Sequence, residues 1–163
     1  MTAPLHLAIG SQAEFRDAVL ATLAAALARD TRSLLWVDPD FARWPLDDPG
    51  LIDAITAWLR RPQRRLMLLA GGFEVLAREH PRFAQWRMPW MHAIDARTPS
   101  ELPRLDLPTL MLDDGPTVLE LWERDPPRGR AAHDPAAART ARDRVDAPWQ
   151  RGVAAWPAKP LGL

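Results

Sequence analysis

Asp38-Pro39-Asp40 closes one apolar run of strand length, Gly71-Gly72 closes a second, and Asp95-Ala96-Arg97 follows a third. Carboxylates, a guanidinium and two unobstructed glycines therefore fall at the ends of successive predicted strands, where open α/β sheets bind ligands. Two carboxylates two residues apart could serve as acid and base or hold a hard cation through oxygen, and Arg97 could grip an anionic group. Simpler uses exist for each. Asp38 and Asp40 flank a proline as turn formers do, and Asp47 or Asp48 suits a helix cap. His80, between Glu79 and Pro81, could move protons near neutral pH, yet on a helix that also presents Phe73 and Leu76 it reads as a packed or capping residue.

The rest of the reactive inventory is short. There is no Cys, which removes thiol catalysis, disulfides, thiolate zinc sites and iron–sulfur ligation, and there is no Tyr. Lys159 is the only lysine, close to the C-terminus, and Ser11, Ser33 and Ser100 are the only serines, none in a G-x-S-x-G setting. No catalytic residue, metal site or cofactor is expected. The 21 basic and 21 acidic side chains cancel, so the chain as a whole offers nucleic acid no positive footprint, and nucleic acid is not expected as a partner. Arg60, Arg61, Arg64 and Arg65 bracket Pro62 where cations complement a helix C-terminus. Basic residues outnumber acidic ones from Arg124 to Lys159, near Trp149 and Trp156, which suits an anionic small molecule or an acidic protein partner. Met-Thr-Ala-Pro carries no basic leader, and the longest apolar run, Ala18 to Ala28, is short and mostly alanine. The expectation is a cytoplasmic protein of bacterial type that does not enter membranes.

These residues must be positioned by the elements around them. Ser11-Gln12-Ala13-Glu14 has capping-box spacing and predicts a helix whose stripe is Phe15, Val19, Leu20, Leu23 and Leu27. Ser33–Val37 reads as a strand, Phe41–Leu46 as a turn or short helix, and Asp48-Pro49 as the start of a second helix. Leu66–Ala70 is the next strand, followed by helix through Trp86 and a short strand at Met91–Ile94. Pro99, Pro103 and Pro108 predict a loop over residues 96–108. Thr109–Leu112 and Thr117–Trp122 then form a hairpin around Asp113-Asp114-Gly115-Pro116, with Gly115 available for positive φ. Residues 125–130 read as loop and Asp134-Pro135 as the start of a last helix. Trp36, Trp58 and Trp122 fall in apolar runs and are expected inside, whereas Trp44, Trp86 and Trp90 could face a partner. The whole predicts an α/β layered sheet flanked by helices, mostly parallel with a C-terminal antiparallel hairpin. One domain spans residues 1–157, with a flexible tail at 158–163.

This order of elements, ending in the hairpin "LMLDDGPTVLELWER", resembles one half of the phospholipase D superfamily fold. In that family the hairpin region carries a His nucleophile, a Lys two residues later and an Asp five beyond the Lys. With Asp114 as the Asp, Leu107 stands at the His position and Thr109 at the Lys position; with Asp113, Asp106 and Pro108 stand there instead. The resemblance implies the fold without its phosphodiesterase residues. The stretches "LLWVDPDFARWPLDDPGLIDAITAWL" and "REHPRFAQW" are similar to an uncharacterised phospholipase D-like domain appended to some bacterial acetyltransferases. Because family enzymes pair two halves about a two-fold axis, a single half is expected to form a homodimer. The expected function is a non-catalytic binding or regulatory domain, with Asp38, Asp40, Gly71, Gly72, His80, Asp95, Arg97 and Asp114 as candidate ligand contacts. The alternative is a carboxylate-dependent enzyme using Asp38, Asp40 and Asp95, with Arg97 on an anionic or phosphate-containing substrate; a third is a subunit of a larger assembly.

Overall fold

The computed structural model describes residues 4–100 and 106–158. The middle of the proline-rich loop, with Pro103, and the tail beyond residue 158, with Lys159, lie outside the described residues. Strand β1 (His6–Ile9) leads into helix α1 (Gln12–Ala28), whose first turn is held as its sequence predicts: Ser11 Oγ accepts the Glu14 N–H at 3.1 Å, and Glu14 reaches back to Gly10 N–H at 3.1 Å. Strand β2 (Ser33–Asp38) follows, then helix α2 (Pro49–Leu59), capped by Asp48 with Pro49 in its first turn. Strand β3 (Arg65–Ala70) precedes two short helices, α3 (Glu74–Glu79) and α4 (Pro81–Trp86). The single helix expected there is broken at His80, because Pro81 disfavours helical geometry in the residue before it.

A 3₁₀ turn occupies Met88–Ala93, and strand β4 (Ile94–Thr98) begins where the sequence reading has its third strand end. Asp95 and Arg97 are thus within a strand, not beyond one. Strands β5 (Leu110–Asp113), β6 (Thr117–Arg124) and β7 (Pro127–His133) run back and forth before helix α5 (Pro135–Gln150) and the two-residue β8 (Val153–Ala154). The β5–β6 turn is closed without positive φ at Gly115; Asp113 Oδ1 accepts the N–H groups of Gly115 and Thr117 at 2.8 and 3.0 Å. This side-chain closure replaces the glycine turn expected from sequence.

All eight strands form one sheet in the order β1-β7-β6-β5-β2-β3-β4-β8. Only β2·β3 and β3·β4 are parallel, and the other five pairings are antiparallel, so the sheet is mostly antiparallel. The expectation of a mostly parallel sheet fails for a physical reason. Tight turns force β5, β6 and β7 to alternate direction, and β1 pairs with β7 instead of extending the parallel set. Period-2 alternation splits the core. Leu34, Trp36, Leu66 and Leu68 face α1, α2 and α4, whereas Val37, Leu69, Leu112 and Val118 face Ala138, Ala141 and Val145 of α5.

Two tryptophans exchange their expected places. Trp122 is 67% exposed because β6 runs past its helical cover, while Trp44 is buried among Phe15, Trp36 and Phe41. Trp86 and Trp90 are partly buried against the core. Gly129 of β7 lies opposite Leu121 beside a bulge in β6, where a methyl group would collide with the Glu120 carbonyl and come within 2.7 Å of Leu121 Cα. Gly129→Ala must push the paired β6 and β7 backbones away from each other and is expected to cost about 2–3 kcal/mol. Urea unfolding monitored by tryptophan fluorescence checks this value; an unchanged midpoint would contradict the close approach.

Candidate functional site

Strand β2 delivers Asp38 to the carboxyl edge of the sheet on the α1/α2 face. There the side chain is buried and fully engaged. Its Oδ1 accepts the Thr109 hydroxyl at 2.5 Å, and its Oδ2 accepts the N–H groups of Asp40 and Phe41 at 3.2 and 2.8 Å. Phe41 has positive φ, so the carboxylate stabilises a turn that an L-residue seldom makes unaided. Arg124, ending β6, donates from Nε to Thr109 Oγ1 at 3.2 Å and from its terminal nitrogen to the Leu107 carbonyl. Asp38, Thr109 and Arg124 thereby tie the ends of β2 and β6 and the start of β5 into one polar network.

This network floors a cleft of about 240 Å³ whose walls include Asp40, Arg43 and Trp44. A shallower groove of about 690 Å³ continues past Ser11, Arg16, His80 and Asp125. Arg43 donates to the Arg124 carbonyl at 2.7 Å and lies 3.6 Å from Asp125. The Trp44 indole N–H is buried and makes no hydrogen bond among the described residues. Among the described residues, no His, Cys or Lys lines the smaller cleft. His80 is buried beside the larger groove, with Nε2 donating to the Phe41 carbonyl at 2.8 Å, so the imidazole is occupied in packing.

Burial pushes the Asp38 carboxyl above its usual value of 3.8, against the hydrogen bonds from Thr109, Phe41 and Asp40 and the nearby Arg124 charge. Between the two values the folded chain retains a proton that the unfolded chain has released. Stability attributable to Asp38 therefore falls as pH rises through that window and levels off above it. The expected result is that wild-type stability, measured relative to Asp38→Asn by urea unfolding from acid to neutral pH, declines upward from about pH 4. A difference that instead grows with pH would place the folded carboxyl below its usual value.

The remaining sequence candidates do not converge on this cleft. Asp40 lines it but is exposed, its Oδ1 accepting the Ala42 N–H at 2.9 Å. Gly71 supports the floor through its N–H to the Pro39 carbonyl at 2.8 Å, while Gly72 opens onto a separate groove beside Phe73 and Trp156. Asp95 and Arg97 are in register with Met67 and Leu69, which places them on the α5 face, opposite Asp38. They bind each other at 3.0 Å, and Arg97 stacks 4.1 Å above Trp149 while donating to its carbonyl. The three-carboxylate arrangement is therefore not assembled, and the guanidinium assigned to an anionic substrate is used within the fold. Asp114 lies at the other end of the sheet, accepting the Arg32 N–H at 2.9 Å. Sequence reasoning placed Thr109 at the family's Lys position and Trp44 on a partner-facing surface, and counted neither of them, nor Arg43 nor Arg124, among the ligand contacts. The available signal was the hairpin itself, since a strand pair of matched length brings Thr109 and Arg124 to the same edge.

No protein-family model matches the sequence, and no curated protein matches it. Folded structures do. Nuc from Salmonella typhimurium, described as a phospholipase D family member, superposes with a TM-score of 0.62 and 15% identity over 95% of this chain and 99% of Nuc. The chain has the phospholipase D-like fold. NucT from Helicobacter pylori also superposes, with a TM-score of 0.56 and 10% identity over 93% of this chain and 98% of NucT. TrmBL2, described as an archaeal chromatin protein with a novel mode of DNA binding, matches with a TM-score of 0.62 and 12% identity over 92% of this chain. The chain spans 54% of TrmBL2.

The last match corrects the expectation against nucleic acid. A fold shared across nearly all of this phospholipase D-like chain serves a DNA-binding protein, so zero net charge is no ground for excluding that partner. The physical error was one of averaging: phosphate contacts depend on where positive charge is clustered, not on the sum over the surface. Among the described residues, no helix is long and apolar enough to cross a membrane.

Proposed function

We propose that this phospholipase D-like domain is a binding module that does not hydrolyse phosphodiesters. The observation that supports it best is the state of Thr109 and Leu107. In the alignment that places Asp114 at the family Asp, these are the Lys and His positions, and here Leu107 is 1% exposed and the Thr109 hydroxyl is held by Asp38 and Arg124. A side chain locked in this way neither attacks phosphorus nor carries the positive charge that a phosphoryl transition state requires. The polar network acts as a brace, and Arg43 at the cleft mouth is the group placed to meet an anionic ligand. The single half-domain works as a homodimer, a reading that rests on the pairing of two halves about a two-fold axis in the enzymes it resembles.

Turnover tests the absence of hydrolysis. Purified protein incubated with bis(p-nitrophenyl) phosphate and with labelled DNA is expected to show no rate above buffer. A rate that follows the protein through successive columns overturns the reading. Light scattering after size exclusion tests the homodimer, with a mass double the 18.3 kDa of the chain expected; the monomer mass at micromolar concentration would contradict it.

A further inference from the structure

The two parallel crossovers carry the C-termini of α1 and α2 to the same end of the sheet, opposite the cleft. Arg29 and Arg32 leave α1, Arg60, Arg61 and Arg64 leave α2, and Arg65 opens β3. The edge is rigidly built. Arg65 N–H donates to the Arg32 carbonyl at 3.1 Å, Trp58 Nε1 donates to the Thr31 carbonyl at 2.7 Å, and the Asp114 N–H binds Thr31 Oγ1 at 3.1 Å. Asp30 takes Arg64 at 2.6 Å and also pairs with Arg61. Arg64 is consequently pinned, its side chain only 7% exposed. Arg29, Arg32 and Arg60 are exposed and make no ion pair among the described residues, while Arg65 only approaches Asp95 at 4.0 Å.

Helix C-termini attract cations, which accounts for some of these arginines. It does not account for six of them against only two exposed carboxylates, Asp30 and Asp114, since buried Asp113 is spent on its own turn, Asp95 is bound by Arg97, and Asp134 caps α5 and pairs with Arg130. At the opposite end the carboxylates meet arginines, Asp48 with Arg16, Asp125 with Arg43 and Asp38 beside Arg124, so the surplus of unpaired positive charge lies on the arginine edge. The chemistry of the edge also selects its partner. Protein interfaces are anchored by aromatic or aliphatic side chains, and among the described residues the exposed large apolar ones, Leu7, Met88, Trp122 and Val153, lie elsewhere. Guanidinium forks without apolar anchors suit phosphate oxygens spaced along a polyanion.

We propose that this arginine edge, and not the cleft, holds the phosphate backbone of duplex DNA. The proposal names the partner of the binding module and rests on that reading: a duplex held at the far end of the sheet is bound without being presented for cleavage. Contacts of this kind position the protein and carry no sequence preference.

Fluorescence anisotropy of a short labelled duplex tests it, comparing wild type with Arg29→Ala/Arg32→Ala/Arg60→Ala between about 50 and 200 mM salt. The expected result is wild-type binding that weakens steeply with salt, and a triple variant bound about 10-fold or more weakly at low salt. Its log–log salt slope should be shallower by about 2 to 3, at about 0.9 per lost phosphate contact. A variant with the same charge loss on other surfaces, Arg78→Ala/Arg82→Ala/Arg128→Ala, should bind within about twofold of wild type. Thermal melts of both variants confirm that each is folded. The proposal is overturned if wild type does not bind the duplex at low salt, if the first triple binds as wild type does, or if both triples lose affinity equally. Cleavage of the duplex by wild type, with binding still lost in the first triple, would remove the non-hydrolytic reading and leave the arginine surface standing.

Discussion

Asp38→Ala is expected to lower the unfolding free energy by about 3–5 kcal/mol at neutral pH, the loss typical of removing one partner from a buried charged network. The Thr109 hydroxyl and the N–H groups of Asp40 and Phe41 lose their acceptor together, and Arg124 loses a neighbouring negative charge. The bond lost by Phe41 is the one that supports its positive φ. Asp38→Asn retains an oxygen for the Phe41 N–H and is expected to cost only about 1–2 kcal/mol. Equilibrium unfolding in urea at neutral pH separates the two. A loss below about 1 kcal/mol for the alanine variant would show that Asp38 is dispensable to the fold and free for another role.

Trp36→Ala should cost about 3–5 kcal/mol, because Trp36 is fully buried at the centre of the sheet and packs on Trp44 and Phe83 with ring centroids 5.8 and 6.3 Å away. The paired variant sharpens the argument. The Trp36 indole N–H makes no hydrogen bond among the described residues, so Trp36→Phe loses volume but no polar partner and should cost no more than about 1.5 kcal/mol. Thermal unfolding followed by far-UV circular dichroism distinguishes these outcomes. Equal losses in the two variants would mean that the N–H is bound in solution and that polarity, not packing, holds the residue.

The elements of the fold written in local chemistry were legible from the residues. The capping box at Ser11, the Asp48-Pro49 helix start and the apolar runs of β2 and β3 all correspond to elements that form. Strand β7 was not legible. Pro127-Arg128-Gly129-Arg130 carries loop composition, and it becomes a strand because β6 and β1 supply partners on both sides and Gly129 permits their approach. Missing β7 left β1 without its true neighbour and made the sheet look parallel.

The candidate site divided in the same way. Asp38 was found because a carboxylate at a strand end is a local signal, and the register then put Asp95 and Arg97 on the opposite face, a relation that no spacing within β4 discloses. Thr109 and Arg124 meet Asp38 only through pairing of distant segments. The arginine edge was visible as a run around Pro62 but read as a helix terminus alone, because the contribution of Arg29 and Arg32 depends on α1 ending beside α2.

Phospholipase D chemistry proceeds through a phosphoryl group carried on histidine, so the direct measurement is of that adduct. Protein in excess over an activated phosphodiester is quenched and its intact mass recorded. The account predicts an unmodified chain of 18.3 kDa at every time point. A transient mass increase equal to the substrate's phosphoryl portion, mapped to a histidine and decaying as product forms, would contradict it.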